Sequence, residues 1–261
     1  MIKNEHGPLT VVQFPCLDDN YAFLLRDETS GKVAAVDTPD ADAIARELDR
    51  LGWNLDYILN THWHADHVGG NEALKTRYGA EIIAPHGEGE KIAHKDRMVK
   101  EGDDVALGDL TARVVETPGH TLGHIIYVFD DQKVAFVADT VFSLGCGRMF
   151  EGTPEVFWQS LDKIRALPAD TVLYCAHEYS AANAAFAVTI EPDNPSLQTR
   201  VAEIKALREE GKATVPIRLG DELEANPFLR ADVPIVAANM GLHDAEAYEV
   251  FGEVRRRKDN F

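Results

Sequence analysis

A chain of 261 residues with 45% hydrophobic and 27% charged side chains holds enough apolar material for one large domain, with or without a smaller appendage. Its net charge of −18 argues against a broad nucleic-acid surface, and no apolar run approaches the ~18 residues that a membrane span needs. Three widely spaced cysteines, Cys16, Cys146 and Cys175, argue against a disulfide framework and for reduced thiols in the cytoplasm; residues 1–8 lack the basic-then-apolar pattern of a secretory leader.

In chain order, hydrophobic alternation predicts strands at 10–14, 21–25, Val33–Val36 and 57–60, with a helix over Ala41–Leu51 opening after Asp40. A helix over 67–78 ends before Gly79, and strands follow at 81–84, 111–116, 124–129 and Val134–Ala138. Thr153 and Pro154 are the cap and first residue of a helix over 154–167, and Val172–Cys175 is the last predicted strand. Beyond His177 the pattern becomes helical, at 181–190, at 195–210 between Asn194 and Gly211, and at 245–258. On that last helix Ala247, Tyr248, Phe251 and Val254 form an apolar stripe. Strands interleaved with helices imply a layered α/β or α+β domain over 1–178, followed by a helical domain over 179–261.

Residues 180–261 carry 14 acidic and 10 basic side chains, net −4, which leaves −14 for the first 179. Against that acidity the run Arg255-Arg256-Arg257-Lys258 reads either as a helix end whose cations suit the macrodipole or as an anion-binding patch.

The segment Thr61-His62-Trp63-His64-Ala65-Asp66-His67 follows the strand at 57–60. Crowding several ionisable groups together is unfavourable unless a cation balances them, and imidazole nitrogen with carboxylate oxygen suits borderline divalent ions. His120, Asp139 and His177 each follow a strand too. Taken alone, His120 or His177 reads as a surface or hydrogen-bonded core residue, and Asp139 as a cap. Delivered by four strand ends, the set exceeds what one open catalytic ion needs, so two ions are expected. His6, His86, His94, His124 and His243 lack such company and read as structural or surface residues.

Thr-His-x-His-x-Asp-His after a strand, then His120, Asp139 and His177, resembles the metallo-β-lactamase superfamily. That resemblance implies an αββα sandwich with the site at the edge between two sheets. It implies that His62, His64 and His120 hold one ion, that Asp66, His67 and His177 hold the other, and that Asp139 bridges them. The segments 145–153, His177-Glu178-Tyr179 and 255–261, with the helical C-terminal extension, further resemble glyoxalase II, the hydroxyacylglutathione hydrolases. By that resemblance Arg148, Phe150, Tyr179, Arg255 and Lys258 are the substrate-binding candidates, with Phe150 where some members carry Tyr. The cations suit the two carboxylates of glutathione.

The implied reaction converts S-lactoylglutathione to lactate and glutathione, the second step of methylglyoxal detoxification. Two divalent ions, Zn first and Fe or Mn as alternatives, would share a bridging hydroxide, with Asp66 and Asp139 as the catalytic carboxylates. The expected partner is a small glutathione thioester, with no nucleic acid and no membrane, and the chain is expected to act as a monomer. A one-iron persulfide dioxygenase should lack the second ligand set, and a lactonase or lactamase would not need the basic C-terminal end. A nuclease fits poorly with the charge, and a non-catalytic scaffold would tend to lose ligands.

Overall fold

The computed structural model describes residues 1–261. They form two compact units, one of Met1–Glu116 with Gly123–Phe136, the other of Thr117–Leu122 with Val137–Phe261.

The first unit contains a seven-stranded sheet in chain order: β1 (Ile2–His6), β2 (Leu9–Cys16), β3 (Asn20–Asp27), β4 (Val33–Val36), β5 (Tyr57–Leu59), β6 (Glu81–Pro85) and β7 (Arg97–Val99). Its first four strands pair antiparallel, and β4 to β7 pair in parallel. Parallel neighbours require crossovers; those after β4 and β5 are α-helical, and the one after β6 holds only a short 3-10 turn at His86–Glu88. α1 (Ala41–Leu51) links β4 to β5; Asp40 caps it by accepting from the Asp42 and Ala43 amides, and Gly52 ends it at φ 68°. Its Ile44, Ala45 and Leu48 bury against Val12, Leu24, Ala35 and Ile58 of the sheet. The same unit holds the antiparallel strands β8 (Asp104–Leu107), β9 (Leu110–Glu116) and β10 (Ile125–Phe129), followed by the start of β11 (Val134–Ala138).

The predicted helix over 67–78 is in fact two, α2 (Ala65–Val68) and α3 (Asn71–Tyr78). The break falls at Gly69-Gly70, where the Gly70 amide leaves the helix to donate to the Thr38 carbonyl at 2.8 Å. A Cβ on Gly70 would lie 2.9 Å from that same oxygen, so the close approach needs glycine.

In the second unit, β12 (Val141–Phe142) and β13 (Gly145–Cys146) form a short hairpin. α4 (Pro154–Arg165) starts at Thr153, whose hydroxyl accepts from the Val156 amide, and β14 (Val172–Cys175) follows it. Five further helices are α5 (Ser180–Ile190), α6 (Pro195–Glu209), α7 (Leu219–Ala225), α8 (Pro234–Met240) and α9 (Ala247–Asp259). Phe251 of α9 packs edge-on to Phe157 of α4, and Leu144, Ala184, Ala187, Leu197 and Ile204 share a separate core cluster. The segment after His177 is not wholly helical, as its sequence suggested. A two-residue strand, β15 (Ile217–Arg218), pairs with β14 and is too short to leave a periodic signature.

Asn194 caps α6 by accepting from the Ser196 and Leu197 amides at 3.0 and 3.2 Å. Asn194→Ala should therefore cost about 1 kcal/mol, read as a lowered denaturation midpoint with an unchanged m-value. No helix is long and apolar enough to cross a membrane.

Candidate metal centre

In the first unit the site is built at the C-terminal ends of two parallel strands. Val36 and Leu59 are register partners in β4 and β5, so Asp37 and the loop after Leu59 leave the sheet side by side. Open parallel sheets gather ligands at this edge. Asp37 has φ 56°, a left-handed conformation that aspartate tolerates better than most residues. Its carboxylate accepts from the Thr61 amide at 2.8 Å, the Thr61 hydroxyl at 2.7 Å and His67 Nδ1 at 2.8 Å.

These bonds decide the tautomers. A carboxylate only accepts, so His67 carries its proton on Nδ1 and presents the Nε2 lone pair. The Thr61 hydroxyl, having donated to Asp37, accepts from His62 Nδ1 at 3.0 Å, which leaves the His62 Nε2 lone pair outward as well. His62 Nε2 lies 3.1 Å from His64 Nδ1. Asp66 Oδ2 stands 3.4 Å from His67 Nε2 and accepts from the Asn20 amide at 3.1 Å. Ligand atoms of Asp37, His62 and His67 all lie within 4.8 Å of one another. Imidazole lone pairs and carboxylate oxygens this close fit a divalent cation.

The second unit carries the other set. β11 runs directly into Asp139, and the Ala176 amide donates to the Ala138 carbonyl at 3.3 Å, which brings His177, just past β14, beside Asp139. Asp139 Oδ2 lies 3.3 Å from His120 Nε2, and its Oδ1 lies 3.4 Å from His177 Nε2. His120 Nδ1 donates to the Arg148 carbonyl at 2.8 Å; a carbonyl cannot donate, so Nε2 again keeps its lone pair. His120, Asp139 and His177 are all buried. Two glycines make this packing sterically feasible. A Cβ at Gly119, whose φ is 152°, would meet the Phe157 ring at 2.2 Å, and one at Gly147 would sit 1.9 Å from the Asp139 carbonyl. No ion is included in the structure, and the donor set fits divalent metal binding.

The five substrate-binding candidates all belong to the second unit. Tyr179 stacks on His177, with ring centroids 4.8 Å apart and planes 2° from parallel. Phe150 is exposed and packs edge-on against His120 at 5.4 Å, with the Arg148 guanidinium 5.8 Å from its ring. Arg148 is exposed and reaches Asp259 at 3.5 Å. Lys258 donates to the Ala182 carbonyl at 3.0 Å beside the Phe186 and Phe261 rings; burial, with help from Arg255, lowers its pKa. Arg255 differs from the others in being 5% exposed. It donates to the Cys146 carbonyl at 3.0 Å and to Asp259 at 2.8 Å, with its guanidinium 5.2 Å from the Phe228 ring.

Two residues at this site escape sequence reading. Asp37 stands 24 positions before Thr61 with no motif around it. His124, expected to be solitary, is fully buried and stacks on His62 at 4.8 Å. Its position at the start of the predicted strand 124–129 was the only available signal.

A profile described as the metallo-beta-lactamase superfamily matches residues 18–177, and one described as hydroxyacylglutathione hydrolase C-terminus matches residues 178–261. A hydroxyacylglutathione hydrolase of Rhodopseudomonas palustris is 54% identical over 253 residues, covering 97% of this chain and 99% of that one. Another, from Maricaulis maris, is 49% identical over 253 residues with the same coverage of 97% and 99%. The crystal structure of the BLEG-1 B3 metallo-beta-lactamase superposes with a TM-score of 0.66 at 21% identity, over 84% of this chain and 99% of that one, a likeness of fold.

Proposed function

Since the chain belongs to the hydroxyacylglutathione hydrolases of the metallo-β-lactamase superfamily, we propose that it is a metal-dependent thioesterase acting on S-(2-hydroxyacyl)glutathione. S-lactoylglutathione is the principal substrate, and a 2-hydroxy acid and glutathione are the products, as in the second step of methylglyoxal detoxification. One observation carries this reading: the likeness to named hydroxyacylglutathione hydrolases extends over 97% of the chain, including the C-terminal segment at 178–261.

The two ligand sets are taken to serve one dinuclear centre. By the family reading, His62, His64 and His120 would hold one ion, and Asp66, His67 and His177 would hold the other. Asp139 is suited to bridge them because its two oxygens face His120 and His177 separately. When bound, the ions, Zn first and Fe or Mn as alternatives, supply Lewis acidity and a hydroxide at neutral pH. The protein's own task is orientation. The Nδ1 protons of His62, His67 and His120 are held by Thr61, Asp37 and the Arg148 carbonyl, which keeps three Nε2 lone pairs aimed. Asp66, partly exposed like His64 whereas the other ligands are buried, suits a proton carrier.

The leaving group is a thiolate whose free thiol titrates near 8.5, so a strong general acid is not required. A cysteine nucleophile is disfavoured: burial pushes Cys16 up to about 12 and Cys146 up to about 11, and raises Cys175 as well. Arg148 and Lys258 offer cations to the glutathione carboxylates, with Phe150 and Tyr179 as apolar and aromatic contacts beside the ligand histidines. Arg255 supports this surface from beneath, through the Cys146 carbonyl and Asp259. The division at 178/179 into a metal-binding domain and a helical substrate-binding domain belongs to the same reading, as does a cytoplasmic monomer; three free, buried cysteines suit a reducing compartment.

Release of free thiol from S-lactoylglutathione, compared with a simple lactone and a β-lactam, tests the assignment; turnover of the lactone or β-lactam but not the thioester contradicts it. Lys258→Ala should raise KM about 3- to 10-fold with kcat little changed, the signature of a lost ground-state anion contact.

A further inference from the structure

Glu222 of α7 is a carboxylate with 1% exposure that the reaction does not use directly. Its Oε2 accepts from the Leu144 amide at 2.8 Å and from Asn226 Nδ2 at 3.0 Å, and its Oε1 accepts from the Ser143 hydroxyl at 3.2 Å. Asn226 also donates to the Phe142 and Gly145 carbonyls at 3.1 and 2.9 Å. The turn between β12 and β13 is thus gripped on both sides by α7 and the residue that ends it. It needs the grip, because Leu144 is a buried leucine with φ 54°, a left-handed conformation that costs on the order of 1–3 kcal/mol and persists only where its surroundings enforce it.

Burying a carboxylate is itself costly, and burial pushes Glu222 up to about 7 against the pull of its hydrogen bonds and Arg200. A core that needed only packing would be served better by an apolar side chain.

The chain leaving this turn leads straight to the ligands. Gly147 packs on the Asp139 backbone so tightly that no Cβ fits, and the next carbonyl, that of Arg148, orients His120. The turn and the His120 acceptor are therefore separated only by Gly145, Cys146 and Gly147, with Arg255 clamping the Cys146 carbonyl.

We propose that Glu222 is a positioning residue for the metal centre: by fixing the Ser143–Leu144 turn it places the Arg148 carbonyl, and through it the His120 imidazole. This rests on the reading of His120 as a metal ligand. Outer partners of ligating histidines typically alter metal affinity 10- to 100-fold.

The test uses full-length, metal-loaded protein and compares Glu222→Ala, Glu222→Gln and, as a control, Arg230→Ala. The control breaks the Glu191–Arg230 pair at 2.9 and 3.0 Å and an Arg230 bond to the Leu223 carbonyl of α7 at 3.3 Å, so it disturbs the same helix while leaving the bonds from Glu222 to the turn in place. Metal affinity by competition with a graded chelator, KM and kcat for S-lactoylglutathione, and the melting temperature are read for each. Glu222→Ala should lose affinity for one ion by about 10-fold or more, whereas Glu222→Gln, which keeps an oxygen for the Leu144 amide and an NH2 for Ser143, should recover most of it. Arg230→Ala should melt earlier with wild-type metal affinity. If Glu222→Ala does not fold, Glu222→Asp, one methylene too short to reach the turn, takes its place with the same expected result. Wild-type affinity in folded Glu222→Ala, or in Glu222→Asp where it takes that place, or an equal loss in Arg230→Ala, would overturn the proposal. A wild-type protein without thioesterase turnover would instead sink the assigned reaction, and the metal-affinity comparison would still stand.

Discussion

Asp139→Ala should lower kcat/KM for S-lactoylglutathione by at least about 10³-fold, equivalent to about 4 kcal/mol of transition-state stabilisation, in a protein that still folds. Asp139 faces His120 with one oxygen and His177 with the other, and it is the only acid in that buried set. Removing it leaves two imidazoles without the anion that spaces them and takes a negative charge from whatever cations they hold. Asp139→Asn keeps the shape but has one oxygen and a neutral amide, so it should fall close to Asp139→Ala. Steady-state kinetics with metal quantified in the same preparation separates lost ions from lost chemistry. An activity within about tenfold of wild type in Asp139→Ala would mean that this carboxylate does not serve the reaction.

The second large effect is expected at a residue that touches no substrate. Asp37→Ala strands three donors at once, the Thr61 amide, the Thr61 hydroxyl and His67 Nδ1. Breaking a buried charged hub of this kind costs about 3–5 kcal/mol, and alanine at φ 56° adds backbone strain. The folded fraction should also bind metal about 10- to 100-fold more weakly, since His67 and, through Thr61, His62 lose the partners that set their tautomers. Asp37→Asn tolerates the left-handed backbone but offers only one accepting oxygen, so it should be less unstable and yet still impaired in metal binding. Thermal melts and chelator competition on the same samples check both parts. Equal metal affinity in Asp37→Asn and wild type would show that Asp37 serves only the fold.

Much of the candidate site could be read from the sequence because its chemistry is local. Four ionisable residues in six positions after an apolar strand have few non-metal explanations, and that density survives without any knowledge of the fold. The edges of the strands carrying His120, Asp139 and His177 were legible for a similar reason: continuous apolar runs such as Val134–Ala138 and Val172–Cys175 end abruptly at a polar residue. What escaped is non-local or too short. Asp37 is defined by a parallel register between β4 and β5, which no single stretch encodes. His124 gains its role only by stacking on a residue in another element. The helix break at Gly69-Gly70 follows from a tertiary bond to Thr38, whereas the local pattern favoured continuing. Arg255 looked like one of four cations on an exposed helix end, yet its face of α9 is the buried one, and its neighbours Arg256 and Arg257 instead pair with Glu253 on the same helix. Periodicity assigned Tyr248, Phe251 and Val254 to the apolar side but did not show that the stripe extends to the arginine next to Val254.

The measurement that bears most directly on the central claim is turnover of S-lactoylglutathione during stepwise chelation, with metal counted in each sample. Two ions per chain, activity falling as they are withdrawn, and recovery on adding Zn, Fe or Mn are the results this account predicts. Full turnover in protein stripped of metal, or a filled two-ion site that leaves the thioester intact, would contradict it.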